Sequence, residues 1–154
     1  MVNVFVYGSL VHPKEWNKVV SKKYKLCIGE VADSRYYLDW TVKVCTREHS
    51  KYHQKNYSTM LTMKRSKFSQ PKNVIGVVYF DVSEKDWNKL IKRENFYKQE
   101  KIKIKCTFCQ EDFFVKTFVV LPEHEIKEFT PRNYLYEKKV ITGYNLMKID
   151  VTDI

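Results

Sequence analysis

The sequence has 154 residues, of which 44% are hydrophobic and 15% aromatic, with four glycines and four prolines. This composition excludes disordered, collagen-like and linker-rich chains, and the length predicts a single domain over residues 1–154. The formal net charge of +10 comes from 28 Lys+Arg against 18 Asp+Glu, but the lysines are scattered along the chain. This distribution favours a solvated surface over a nucleic-acid-binding face.

Location and metal binding are also predicted from residue types. No apolar run approaches the roughly 18 residues that span a bilayer, and Met1 leads directly into a predicted strand. We therefore expect a cytoplasmic protein with reduced cysteines and no membrane partner. His49 and His53 have no third ligand nearby, and Cys106 and Cys109 have no second pair at matching distance, so no metal site is predicted.

The first predicted element is a strand at the start of the chain. Alternating valines from Val2 to Val6 favour a strand, and Gly8 ends it. Because glycine adopts positive φ without steric cost, residues 7–10 can form a tight loop whose N–H groups point into one concavity. Such a loop suits a carboxylate or a phosphate. The alternative interpretation is a plain turn.

One short helix and several strands follow. Pro13 and the spacing of Trp16 and Val19 predict a helix over residues 13–22. Stretches rich in aromatic and β-branched residues predict further strands, and a polar stretch with two histidines predicts a mobile loop at 45–55. The predicted strands cover residues 27–32, 35–40, 57–63 and 73–82.

The second half begins with another helix. It is predicted over residues 84–93, where Ser83 is a favourable N-cap and apolar residues recur at helical spacing, and it ends directly before Glu94. A hairpin with strands over 97–108 and 113–121 follows. A last helix is predicted from residue 131 to about residue 142, where a glycine breaks it.

Three segments in this order resemble the γ-glutamylcyclotransferase family, which includes γ-glutamylamine and glutathione-specific cyclotransferases. Residues 4–10 are similar to its first strand and Tyr-Gly-Ser/Thr loop, which there holds the substrate's α-carboxylate. Residues 74–79, the following helix and Glu94 resemble its strand, helix and catalytic glutamate. Residues 131–134 resemble its Pro-x-x-Tyr, whose tyrosine lines the same pocket. Ile91 departs from the family's usual aspartate.

The resemblance implies a fold and a reaction. The fold is α+β, a small and mostly antiparallel β-barrel or bent sheet with flanking helices and the active site at one barrel mouth. The reaction is cleavage of a small γ-glutamyl amide with release of 5-oxoproline, and it needs no cofactor. Glu94 is then the general acid/base. The implied substrate-binding residues are Tyr7, Gly8, Ser9, Leu10 and Tyr134.

Several alternatives stay open on the sequence. One is a basic RNA-binding module that stacks bases on aromatics such as Tyr36, Tyr37, Trp40 and Tyr57. Another is an interaction module that keeps the fold without catalysis. If the protein is an enzyme, its substrate is a γ-glutamyl amino acid, glutathione or γ-glutamyl-lysine. The sequence is also compatible with a homodimer.

Overall fold

The structure, a computed structural model, describes residues 1–43, 59–95, 97–121 and 134–151. Its helices are α1 (Pro13–Val19), α2 (Glu84–Arg93) and α3 (Tyr134–Leu146), with a 3₁₀ helix at Gly8–Val11. Its strands are β1 (Val2–Val6), β2 (Leu26–Val31), β3 (Tyr36–Lys43), β4 (Thr59–Arg65), β5 (Ile75–Val82), β6 (Tyr97–Cys106) and β7 (Asp112–Val120).

Of the strands in the described ranges, five close into a barrel in the order β1-β5-β2-β6-β7. Every neighbouring pair is antiparallel except β7 and β1, which close the barrel in parallel at Val4 and Lys116. β3 and β4 form a separate antiparallel pair. The backbone N–H of Val120 in β7 donates to the Thr62 hydroxyl of β4 (3.0 Å), which joins this pair to the barrel. The α+β barrel prediction is confirmed.

At β1 and β5 both faces of the barrel wall are buried, because alternate residues of these strands enter two different apolar clusters. Val77 and Tyr79 of β5 belong to the cluster that includes the helices, and Val78 belongs with Phe5 to the second cluster. Trp16 of α1 stacks on Tyr79 with ring centroids 3.8 Å apart. Burial on both faces explains why β5 has a nearly continuous apolar sequence rather than an alternating one.

A buried carboxylate fixes α2 against the end of α1. Asp86 accepts hydrogen bonds from the Ser21 backbone N–H (3.1 Å) and from the Tyr24 hydroxyl (2.5 Å), and its own N–H donates to the N-cap Ser83. Burial opposes ionisation of Asp86, but these hydrogen bonds outweigh it and lower the pKa below its usual value of 3.8. Because α2 is held at its first turn, its last residues reach a defined place at the barrel.

The predicted boundary of the last helix was wrong. α3 does not break at Gly143 but continues to Leu146. A Cβ at this position would lie 2.7 Å from the backbone nitrogen of His12, so glycine is present for close packing and not as a helix end. The predicted loop at 45–55 lies outside the described residues, as does the predicted start of the last helix at 131–133.

Candidate functional site

A pocket opens at the end of the barrel where β1 runs into the 3₁₀ helix. Its empty volume is about 380 Å³ including the solvent-open mouth, and the room for water molecules inside is only about 30 Å³. The lining residues come from β1, the 3₁₀ helix, β4, α2, β6, β7 and α3. They are Phe5, Val6, Tyr7, Ser9, Leu10, Met60, Leu61, Arg93, Glu94, Tyr97, Thr117, Phe118 and Tyr136.

Glu94 enters this pocket because the chain leaves helical geometry there. Glu94 is the C-cap of α2, with φ −95° and ψ 46°, and its N–H still donates to the Leu90 carbonyl (2.9 Å). Its side chain is 9% exposed and forms an ion pair with the Arg93 guanidinium, which is 15% exposed. Among the described lining residues, Arg93 and Glu94 are the charged side chains.

The loop after β1 has the positive backbone angle expected of Gly8. Its φ is 69°, a conformation that other residues adopt at a cost. The N–H of Gly8 donates to the Tyr144 hydroxyl (3.2 Å). In a 3₁₀ helix that starts at Gly8, the first two N–H groups have no acceptor inside the helix. With the Gly8 N–H bonded to Tyr144, the N–H of Ser9 is the loop donor best suited to an anionic ligand.

Three tyrosines line the pocket with Glu94, the buried Tyr136 and the half-buried Tyr7 and Tyr97. The Tyr7 hydroxyl donates to the Phe118 carbonyl and accepts from the Met63 N–H, and the Tyr97 hydroxyl donates to the Leu61 carbonyl (3.0 Å).

The phenols remain protonated at neutral pH. Burial, and after it the charge of Glu94, raises the pKa of Tyr136 to about 12. Burial and Glu94 also raise the pKa values of Tyr7 and Tyr97 above 10. The carboxylate therefore stands among neutral hydroxyl groups in a narrow pocket.

The structure brings most of the predicted site residues together. Tyr7, Ser9, Leu10 and Glu94 line the same pocket, and Gly8 is buried between them. More than eighty residues of sequence separate the loop from Glu94. Their roles in binding and catalysis remain predictions.

The predicted Tyr134 does not enter the pocket. It is the first residue of α3 and is 72% exposed, whereas Tyr136 lines the pocket and is buried. The buried face of α3 carries Tyr136, Val140 and Tyr144, spaced four residues apart. This periodicity identifies the inward face of a helix, and Tyr134 falls outside it. Arg93 and Tyr97 also line the pocket without having been predicted as site residues.

A second, larger cavity lies elsewhere in the described part of the chain. Its room for water molecules is about 600 Å³, compared with about 30 Å³ in the first pocket. Tyr37 of β3, Gln70 and Lys72 before β5, and Asp150 after α3 are among its lining residues. None of the predicted site residues lines it. The first pocket is the candidate site because of its chemistry, which places a nearly buried carboxylate beside a glycine loop, and not because of its size.

Comparison with protein-family models gives no match, and comparison with the sequences of curated proteins gives none either. Solved structures do match. A structure titled "Gamma-glutamyl cyclotransferase" has a TM-score of 0.73 at 15% identity, covering 97% of this chain and 82% of that chain. The chain has the γ-glutamyl cyclotransferase fold.

Further structures share this fold. A crystal structure of an uncharacterized human protein gives a TM-score of 0.73 at 17% identity, covering 97% of this chain and 82% of that one. A solution structure from Arabidopsis thaliana gives a TM-score of 0.59 at 18% identity, covering 96% of this chain and 87% of that chain. Similarity at these identities shows the γ-glutamyl cyclotransferase fold alone, and the activity has to be argued from the site. The structure also shows that none of the described helices is long and apolar enough to cross a membrane.

Proposed function

We propose that this protein cleaves a γ-glutamyl amide by attack of the substrate's own α-amine, with release of 5-oxoproline and an amine. The observation that carries the proposal is the nearly buried Glu94 carboxylate, which shares one pocket with the loop around Gly8. The γ-glutamyl cyclotransferase fold supports this proposal. The sequence supports it too, because Glu94 and the loop around Gly8 resemble motifs of that family.

The reaction needs a group that accepts a proton from the attacking amine and later donates it to the departing nitrogen. In the substrate, the α-amine is an ammonium at neutral pH and cannot attack until it loses a proton. The Glu94 carboxylate accepts this proton, the amine nitrogen forms a bond to the γ-carbonyl carbon, and the amide C–N bond breaks. Glu94 then returns the proton to the departing nitrogen, and the second proton that the ring nitrogen loses as it becomes the lactam N–H also passes to the released amine, which leaves as an ammonium. Ring closure is intramolecular, so correct positioning of the substrate's amine and γ-carbonyl supplies much of the rate acceleration.

The other side chains of the pocket bind and polarise the substrate in this proposal. The Ser9 N–H holds the α-carboxylate. The Tyr136 hydroxyl, whose pKa is about 12, is a neutral donor that already hydrogen-bonds with Ser9 and Leu61, and it shifts to the oxygen that becomes negative when the amine attacks. Hydrogen bonds of this kind are stronger in a narrow, mostly protein-lined pocket than in open water.

Two of the four aromatics named for the RNA-binding alternative, Tyr36 and Trp40, pack within the fold, whereas Tyr37 is half-buried. Tyr36 is 6% exposed, and Trp40 packs edge-on against Tyr136 with ring centroids 5.7 Å apart. Tyr57 lies outside the described residues. Bases stack on exposed aromatic faces, so these observations favour the enzyme over the RNA-binding module.

The test is an assay of 5-oxoproline release from γ-glutamyl amino acids, glutathione and γ-glutamyl-lysine. Glu94→Gln keeps the size of the side chain but cannot accept the proton, so turnover should fall by roughly 10²–10⁴-fold while circular dichroism stays unchanged. Glu84→Gln is the matched control, because Glu84 is an exposed acid at the other end of the same helix. Its turnover should stay within about twofold of the parent, since it contacts no substrate. Equal turnover by Glu94→Gln and the parent would remove Glu94 from the mechanism.

A further inference from the structure

A group of three thiols lies at the tip of the β6–β7 hairpin. Cys106 is the last residue of β6 and is buried, Cys109 is exposed in the turn that follows, and Cys27 of β2 is half-buried. All three are free thiols. The pocket residue Tyr97 begins β6, so Cys106 lies roughly 30 Å farther along the strand, and the proposed reaction does not use these thiols.

The backbone of the turn brings two of the thiols to one side. The N–H of Gln110 donates to the Cys106 carbonyl (3.0 Å), which closes a single turn of the α-helical type. In such a turn, side chains three positions apart are neighbours, with Cβ atoms about 5–6 Å apart. Cys106 and Cys109 have this spacing. A small closure brings them to the Cβ separation of about 3.5–4.5 Å that a disulfide needs.

Further hydrogen bonds hold the turn on the barrel. The Thr107 N–H (3.1 Å) and the Thr107 hydroxyl (3.0 Å) both donate to the Ile28 carbonyl of β2. The side-chain amide of Gln110 donates to the Thr107 carbonyl (3.1 Å), and the Cys106 N–H donates to the Glu111 carbonyl (2.9 Å). Because the turn is already ordered, joining its two sulfurs costs little conformational entropy.

Hydrogen bonds to the Cys106 sulfur favour its thiolate. The Cys109 N–H donates to it, and this bond outweighs burial and lowers the pKa of Cys106 to about 7. The Cys109 thiol, the Phe108 N–H and the Cys27 thiol act in the same direction. Burial raises the pKa of Cys27 to about 12, so Cys27 is a neutral thiol at neutral pH. The exposed thiol of Cys109 therefore stands beside a sulfur that is ready to accept its proton.

We propose that Cys106 and Cys109 form a thiol–disulfide exchange site, which reacts with the disulfides of small thiols and closes to a Cys106–Cys109 disulfide. This site is independent of the proposed function. Reactive cysteines are partly exposed and lie among hydrogen-bond donors, whereas buried structural cysteines are inert. The exposed Cys109 provides the access, and Cys106 provides the thiolate.

The exchange has two steps. The Cys109 proton passes to the Cys106 thiolate while the Cys109 sulfur attacks the small disulfide and expels one small thiolate. That thiolate takes the proton from Cys106, whose sulfur then attacks the Cys109 sulfur and expels the second small thiolate. The two cysteines lose two electrons, and the small disulfide gains them.

The experiment uses bis(2-hydroxyethyl) disulfide, which has no γ-glutamyl group and cannot be a substrate of the proposed reaction. After incubation at pH 7, remaining thiols are blocked with a maleimide and the cysteines are mapped by mass spectrometry. The map also separates these cysteines from Cys45, which lies outside the described residues. The parent should form the Cys106–Cys109 disulfide without retaining the small thiol, and dithiothreitol should reverse the change.

Three variants identify the role of each sulfur. Cys106→Ser should stop at a stable mixed disulfide on Cys109, because the second sulfur is missing. Cys109→Ser should react roughly 10-fold more slowly than the parent, because the remaining sulfur of the pair is buried. Cys27→Ser is the matched control, since it removes the third thiol and should still form the Cys106–Cys109 disulfide. Circular dichroism checks the fold, and the parent together with the exposed Cys109→Ser variant decides the question if Cys106→Ser does not fold.

The contrary outcomes are distinct. A parent protein that keeps both thiols would overturn the inference, and so would a mixed disulfide on Cys109 that never closes. A disulfide between Cys27 and Cys106 would place the exchange between β2 and β6 and refute the assignment to the turn. Reaction of Cys109→Ser at the parent's rate would show that Cys109 is not the attacking sulfur.

Discussion

Replacement of Gly8 tests whether the loop after β1 has the conformation that the site requires. At a φ of 69°, an alanine pays about 1–2 kcal/mol for the left-handed backbone. The added Cβ would also lie 3.1 Å from the hydroxyl oxygen of Tyr136, closer than ordinary van der Waals contact. We therefore expect Gly8→Ala to lower the free energy of unfolding by about 2 kcal/mol, which corresponds to roughly 4–8 °C in Tm for a domain of this size.

Two further variants separate the backbone effect from the contact with Tyr136. Asparagine tolerates positive φ, so Gly8→Asn should recover part of the loss while it keeps the added Cβ. A β-branched residue is strongly disfavoured at this φ, so Gly8→Val should abolish binding of 5-oxoproline. Urea unfolding and titration calorimetry measure the two effects. If Gly8→Ala unfolds within about 0.5 kcal/mol of the parent and Gly8→Val binds 5-oxoproline as tightly, the loop is a plain turn.

Two other predictions follow from individual hydrogen bonds. Asp86→Asn should lower stability by roughly 2 kcal/mol at neutral pH, because its neutral side chain accepts less strongly from Ser21 and Tyr24. The pKa of Asp86 in the folded protein lies below its value of 3.8 in the unfolded chain. The parent is therefore more stable than Asp86→Asn at pH values above 3.8, and it loses this extra stability as the pH falls through the folded pKa. Urea unfolding from pH 7 to pH 3 should show the gap narrowing, and a constant gap would contradict the assignment. Tyr136→Phe should lower kcat/KM by roughly 10-fold, whereas Tyr134→Phe should change it little because its side chain is 72% exposed. The reverse order in the 5-oxoproline assay would restore Tyr134 to the site.

The elements that sequence reasoning predicted well are those defined by local signals. The alternating valines of β1 and the Ser83 N-cap of α2 each depend on neighbours in sequence. The parallel closure between β1 and β7 joins residues more than a hundred positions apart, at Val4 and Lys116. No local pattern indicates such a pairing, so the sequence favoured a barrel or bent sheet without deciding between them.

In the candidate site too, some residues could be predicted from the sequence and others depend on the three-dimensional structure. Glu94 and the loop around Gly8 were predicted because they resemble a family's motifs, but the ion pair of Arg93 with Glu94 depends on one backbone angle. With helical ψ at Glu94, Arg93 would be an ordinary cation at an exposed helix end. Tyr134 was preferred to Tyr136 because it fits a short motif, while the buried face of α3 depends on packing against the 3₁₀ helix and β4.

A crystal structure of the parent protein with 5-oxoproline tests most directly whether the first pocket holds the γ-glutamyl group. We expect the carboxylate of the product within about 3 Å of the Ser9 backbone nitrogen. We also expect its lactam ring beside the Glu94 carboxylate. Binding of 5-oxoproline in the larger cavity beside Tyr37 and Asp150 would contradict the proposed site.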